Sequence, residues 1–182
     1  MQIKHISTSE VIARVKKGAV LLDIRSADAY NGWQLMQEHR GGHIRGARSL
    51  PFKWTNYIDW MDIIQQKNIT PDKEIIIYGY SNEENGILAE LFIKAGFHNI
   101  NIYGEFLSEW VPDEHLPMDR LARYRNLVPA EWLNKMISGE TITETHKQRP
   151  VVIQAHYRNR DAYLSGHIPG AVDMDTLVLE SP

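Results

Sequence analysis

The chain contains no cysteine. Disulfides, thiolate metal sites and a cysteine nucleophile are therefore excluded within it. The absence assigns no compartment, because reducing and oxidising surroundings both host cysteine-free proteins. Long apolar runs are also missing. No segment approaches the roughly 20 apolar residues that a membrane-spanning helix needs. The opening residues Met1-Gln2-Ile3-Lys4-His5-Ile6 lack an apolar signal core. Nothing here argues for export, and a soluble protein of cytoplasm or periplasm is expected. Excess positive charge is absent too: the formal net charge is −3. That leaves no electrostatic footprint for nucleic acid or an anionic membrane, so neither is expected as a partner.

What is present is ordinary for a globular protein. Hydrophobic residues make up 43% of the 182 residues and charged residues 24%. The length suits one domain, or one and a fraction.

Ser7-Thr8-Ser9-Glu10 has the form of a capping box, with Val11, Ile12 and Val15 on one helical face and Gly18 as the stop. Ala19 to Arg25 is a short apolar run ending in charges and reads as a buried strand. Residues 26 to 52 carry glycines and Pro51 and read mostly as loop. Trp54, Tyr57, Ile58, Met61 and Ile64 recur at helical spacing, which predicts a helix packed on the core. A turn at residues 69 to 73 leads to a second buried strand, Glu74 to Tyr78. A loop from Gly79 to Asn85, a helix through Leu88, Leu91 and Phe92, and a third strand at 98 to 103 complete the alternation. Such alternation argues for an α/β fold with a parallel sheet flanked by helices. Proline and acid around Pro112 to Pro117 predict a linker. The pattern then restarts, with a helix at Pro129 to Ile137 and a strand at Val151 to Ile153.

Two segments match at all but one position: Gly42-His43-Ile44-Arg45-Gly46-Ala47 and Gly166-His167-Ile168-Pro169-Gly170-Ala171. A helix and an apolar strand precede each, which reads as a duplication. The second copy breaks off after a short tail. The expected organisation is one domain over 1–118 and the amino-terminal half of another over 119–182. A half-domain leaves sheet edges and apolar faces uncovered, which predicts either continuation in a longer protein or packing against another domain or chain.

Leu22-Asp23-Ile24-Arg25 followed by Gly42-His43-Ile44-x-Gly46-Ala47 resembles the signature of the rhodanese-like sulfurtransferases. Tyr78 with its following loop, and Trp110 closing the stretch after Tyr103, resemble the active-site loop and terminal tryptophan of that family. The repeat at 166–171 is a closer match still. Tyr30-Asn31-Gly32-Trp33 and the order of domains resemble the amino-terminal region of bacterial multidomain thiosulfate sulfurtransferases, whose early domains lack the cysteine. The resemblance implies a rhodanese-like fold with a truncated second repeat. It also implies a chain that is inactive alone, its catalytic cysteine lying in another domain.

The family's chemistry needs a thiolate held where loop N–H groups and a helix N-terminus converge. In the family the loop begins with Cys and usually ends with Arg. Gly79 stands at the cysteine position and Glu84, beside Glu83, stands about where the Arg belongs. The degenerate loop is Gly79, Tyr80, Ser81, Asn82, Glu83 and Glu84. No catalytic residue is expected in it. Two arrangements suit it: N–H groups still aimed at a common centre, or a centre filled by Glu83 and Glu84.

His43 and His167 read as loop-fixing histidines, because neither has a partner at metal-ligand spacing. Asp23 reads as a hydrogen-bond acceptor for the loop. Arg25, at the strand's carboxyl end, keeps an anion-binding option. Gly42, Gly46, Gly166 and Gly170 read as structural turns. Glu83 and Glu84 read as first-turn helix acids. No metal or cofactor site is expected. The expected partners are a cysteine-bearing rhodanese domain or a second copy, the latter making the chain an interaction or oligomerisation module.

Overall fold

The computed structural model describes residues 3–140 and 151–180. The chain divides into two compact units, Met1–Leu127 and Val128–Pro182. In the first, β1 (Lys4–His5) leads to α1 (Thr8–Lys16) and β2 (Val20–Asp23). After α2 (Ala27–Asn31) come the short β3 (His43–Ile44) and β4 (Arg48–Ser49). A 3-10 turn (Phe52–Asn56) and α3 (Trp60–Gln66) precede β5 (Glu74–Tyr78). The unit continues through α4 (Asn82–Lys94), β6 (Asn99–Ile102), a π-helical turn (Phe106–Trp110) and β7 (Met118–Asp119).

Five strands form one sheet in the order β1-β6-β5-β2-β4. Every neighbouring pair in it runs parallel. A parallel sheet is covered on both faces, which is why β2 and β5 read as unbroken apolar runs. Alternate residues serve opposite faces. Leu22, Ile75 and Ile77 pack with Ile64, Leu88 and Phe92. Leu21, Ile76 and Tyr78 pack with Val11, Phe106 and Trp110.

Helix α1 starts as its sequence dictates. Ser7 caps it, and Glu10 returns its carboxylate to the Ser7 N–H at 3.0 Å. Two regions differ from expectation. The single helix expected across 54–64 is split, with Tyr57 and Ile58 standing out in solvent and Ile58 fully exposed. The break follows from the chain turning twice, so Trp54 and Trp60 both reach the core from separate segments. Residues 26–52 are mostly loop, as expected, and add only the five-residue α2, capped by Ser26, and the two two-residue strands. Pro112 to Pro117, in contrast, is not a free linker. The Arg40 guanidinium donates to the carbonyls of Trp110, Val111, Asp113 and Leu116. β7 then pairs antiparallel with β3. These bonds carry the first unit past residue 118, to Leu127.

The second unit comprises α5 (Ala130–Ile137), β8 (Ile153–His156), α6 (Arg160–Ser165) and β9 (Val172–Asp175). β8 and β9 pair in parallel, as β2 and β4 do in the first unit.

Candidate functional site

In open parallel sheets the carboxyl ends of the strands are where ligands gather. Here β2 delivers Asp23 and then Arg25 to that edge, and β5 delivers Tyr78, Gly79 and Tyr80. Asp23 is fully buried. Its carboxylate accepts from the Arg25 N–H and Nε at 3.0 Å, from Arg25 Nη2 at 2.6 Å and from the Tyr78 hydroxyl at 2.8 Å. Tyr78 Oη in turn accepts the Ile44 N–H at 3.1 Å, which ties the turn of β3 to the centre of the sheet. Burial, followed by the Asp23 charge, pushes the Tyr78 phenol well above its ordinary range.

Arg25 is not available to an anion. Nη1 donates to Glu38 Oε1 at 2.5 Å and Nη2 also donates to the Gly42 carbonyl at 2.6 Å. Its guanidinium lies 4.4 Å from the Phe106 ring centroid. Burial works to lower its pKa, but the charge and hydrogen bonds of Asp23, with Tyr78 and Tyr80, together outweigh it and the net shift is upward. The anion-binding option expected at Arg25 is therefore closed: one cation faces two buried carboxylates.

Glu38 is the residue that the sequence did not single out. It bridges Arg25 and the Tyr80 hydroxyl, the latter at 2.9 Å. Burial raises its pKa, against the opposing pull of Arg25. The carboxylate that meets the loop side chain Tyr80 is thus Glu38, not Glu83 or Glu84. Those two lie in the first turn of α4, where Ser81 Oγ accepts the Glu84 N–H. The helix begins at Asn82, so only Gly79, Tyr80 and Ser81 remain as loop. Ser81 as cap and two acids after it favour that early start.

Gly79 is dictated by space. A Cβ there would meet Ile24 Cγ1 at 2.7 Å and Asn85 Oδ1 at 3.0 Å. Asn85 is fully buried, and its Oδ1 has no partner among the described residues. Beside the Glu38 bridge a shallow cleft of about 300 Å³ remains, walled by Arg25, Phe52, Lys53, Tyr80 and Glu84. It holds no nucleophilic thiol. Among the described residues no three His, Cys, Asp or Glu side chains come together as a metal site would require.

The two motif histidines share one arrangement. His43 stacks on Tyr30 with ring centroids 3.7 Å apart, and its Nδ1 meets the Tyr30 carbonyl at 2.8 Å. His167 stacks on Tyr163 at 4.1 Å, and its Nδ1 meets the Tyr163 carbonyl at 3.0 Å. Tyr30 Oη donates to the Ala47 carbonyl and Tyr163 Oη to the Ala171 carbonyl, each at 2.8 Å. Gly46 and Gly170 adopt φ of 82° and 79°, a conformation that costs other residues about 1 kcal/mol or more. These histidines fix a turn, and neither faces a reaction centre.

Comparison with known proteins agrees with this geometry. Residues 7–113 match the rhodanese-like domain. The thiosulfate sulfurtransferase YnjE of Escherichia coli is 29% identical over 163 residues, covering 88% of this chain and 36% of its own length. A thiosulfate sulfurtransferase of Azotobacter vinelandii is 28% identical over 107 residues, or 53% of this chain and 38% of its own. Among solved structures, EanB in complex with hercynine superposes with a TM-score of 0.92 at 49% identity, over 100% of this chain and 42% of that one. The anaerobic ergothioneine biosynthesis enzyme of Chlorobium limicola, solved with trimethyl histidine, gives 0.91 at 49% identity over 43% of its length. The chain thus spans little more than a third of the curated relatives and about two fifths of these structures. With an α/β fold whose central sheet is parallel, and a match over residues 7–113, the chain belongs to the rhodanese-like domain family.

Proposed function

We propose that these residues are the non-catalytic part of a longer rhodanese-like sulfurtransferase, whose sulfur-carrying cysteine lies outside them. The observation that carries this reading is the Asp23–Arg25–Glu38–Tyr80 network. A rhodanese loop must present cationic and N–H groups to an anionic sulfur species. Here Arg25 is held by two buried carboxylates, and a side chain at Gly79 would crowd Ile24 and Asn85. The likeness to EanB and its complexes with hercynine favours a trimethyl-histidine type of acceptor for the whole protein. The recurring tyrosine–histidine–alanine contacts support reading the second unit as the opening half of a second repeat.

The test is sulfur transfer from thiosulfate to cyanide or hercynine, measured on the 182-residue chain and on the gene product that carries it. The chain alone gives no turnover, and the gene product transfers sulfur through a cysteine outside this segment. A gene product with no reactive cysteine would defeat the proposal.

A second reading, an interaction module, is favoured by one observation: the second unit exposes Ile153, Leu164, Val172 and Val178, each by half or more. Sedimentation of the purified chain separates the two. Concentration-dependent dimerisation favours the module, and a clean monomer favours the scaffold.

A further inference from the structure

The first copy of the histidine turn carries a segment that the second lacks. His43 lies thirteen residues after its stacking tyrosine, whereas His167 lies four after its own. One side of that extra segment provides Glu38, which bonds Arg25 and Tyr80. The other side packs against residues 118–125 and encloses a separate cavity of about 420 Å³. Its walls include His39, Arg40, Arg120, Tyr124 and Arg125, with Asp119 as the single carboxylate. Asp119 is already paired with Arg45 at 2.9 Å.

The cavity is built rather than incidental. Tyr124 lies directly on Gly32, where a Cβ would meet its ring at 2.7 Å. Its ring also meets Trp33 edge-on at 5.6 Å, and Trp33 Nε1 donates to the Leu127 carbonyl at 2.8 Å. On the tyrosine so fixed, the guanidinium of Arg120 stands 5.7 Å and that of Arg125 5.6 Å from the ring centroid. Two like charges are thereby held near one ring, and among the described residues neither has a carboxylate partner. Arg40 adds charge but few donors, since its guanidinium is engaged by four carbonyls. Arg125 Nε donates to the Tyr124 hydroxyl at 3.3 Å, and the remaining guanidinium N–H groups suit a planar or tetrahedral oxyanion.

We propose that this cavity binds a small oxyanion of the thiosulfate or phosphate class, apart from the network at Arg25. Calorimetric titration of the full chain tests it, with sodium thiosulfate and sodium phosphate as probes against sodium chloride at matched ionic strength. Saturable binding of at least one oxyanion is expected. Arg120→Gln with Arg125→Gln weakens it about tenfold or more, the loss expected for two charge-assisted hydrogen bonds at a solvent-facing site. Arg120→Lys with Arg125→Lys retains part of it, which guards against a variant that misfolds. Lys94→Gln, on α4 away from the cavity, leaves binding unchanged. Preference for thiosulfate assigns the site to the sulfur donor, and preference for phosphate assigns it to a phosphate-bearing ligand. No saturation by either probe, or equal binding by the glutamine variant, overturns the proposal.

Discussion

Gly79→Cys is the substitution that would seem to restore a rhodanese, and it is expected to fail twice. The first failure is steric. The added Cβ falls 2.7 Å from Ile24 Cγ1 and 3.0 Å from Asn85 Oδ1, inside a site where Ile24 and Asn85 are both buried. Overpacking of this kind costs about 1–3 kcal/mol. For a chain of this size, each kcal/mol lowers Tm by roughly 2–4 °C. The melting temperature should therefore fall by roughly 2–12 °C. The second failure is electrostatic. Arg25, a cation at the strand ends, is already held by Asp23 and Glu38. A thiol beside it keeps a pKa near the ordinary value of about 8.5 and is largely protonated at neutral pH. The assay pairs thermal unfolding by circular dichroism with thiosulfate–cyanide transfer and intact-mass detection of a cysteine persulfide. No persulfide and no turnover are expected. Adding Glu38→Gln to Gly79→Cys frees Arg25, so the double variant should alkylate faster with iodoacetamide than the single one. A Gly79→Cys protein as stable as its parent, and active, would refute both arguments.

Asp23→Asn weakens the hydrogen bonds of four donor groups to a buried carboxylate while Glu38 still balances Arg25, and should destabilise the first unit by about 1.5–3 kcal/mol in urea unfolding. Glu38 carries the pH dependence. Its native pKa is raised by burial, so the native state keeps the Glu38 proton to a higher pH than the unfolded chain does. Stability from this group is present below the unfolded pKa and is lost as pH rises through the native one. Glu38→Gln should flatten that fall in denaturation curves taken across the acidic range. Tyr30→Phe removes a hydroxyl bond to the Ala47 carbonyl, and should cost about 1 kcal/mol in chemical denaturation. A neutral result would mean that the stacked His43 fixes the turn without it.

The fold was legible where one residue pattern admits one structure. Val20–Asp23 and Glu74–Tyr78 are apolar without interruption, and only a sheet covered on both faces accepts that. Ser7 and Glu10 announce the start of α1 in four residues. The turn histidines were legible because the motif occurs twice. Glu38 was not, because a buried carboxylate has no local signature. The hint lay in Arg25, a charge at the end of a buried strand that needs a partner. Nothing in the order of residues distinguishes Glu38 from Glu83 or Glu84 as that partner, since the choice rests on how the segment after α2 folds back. Arg40 was hidden for the same reason: its four carbonyl acceptors lie about 70 residues away. The split at Tyr57 to Asp59 was masked by spacing, since Trp54, Met61 and Ile64 do face the core while Tyr57 and Ile58 do not.

The central claim is that sulfur-transfer chemistry is absent from these residues, their Arg25 being held by Asp23 and Glu38. Steady-state transfer of sulfur from thiosulfate by the purified 182-residue chain, with cyanide and with hercynine as acceptors, tests this most directly. The account predicts no turnover above buffer with either acceptor. Turnover that co-purifies with the chain, and disappears in Asp23→Asn without loss of fold, would contradict it.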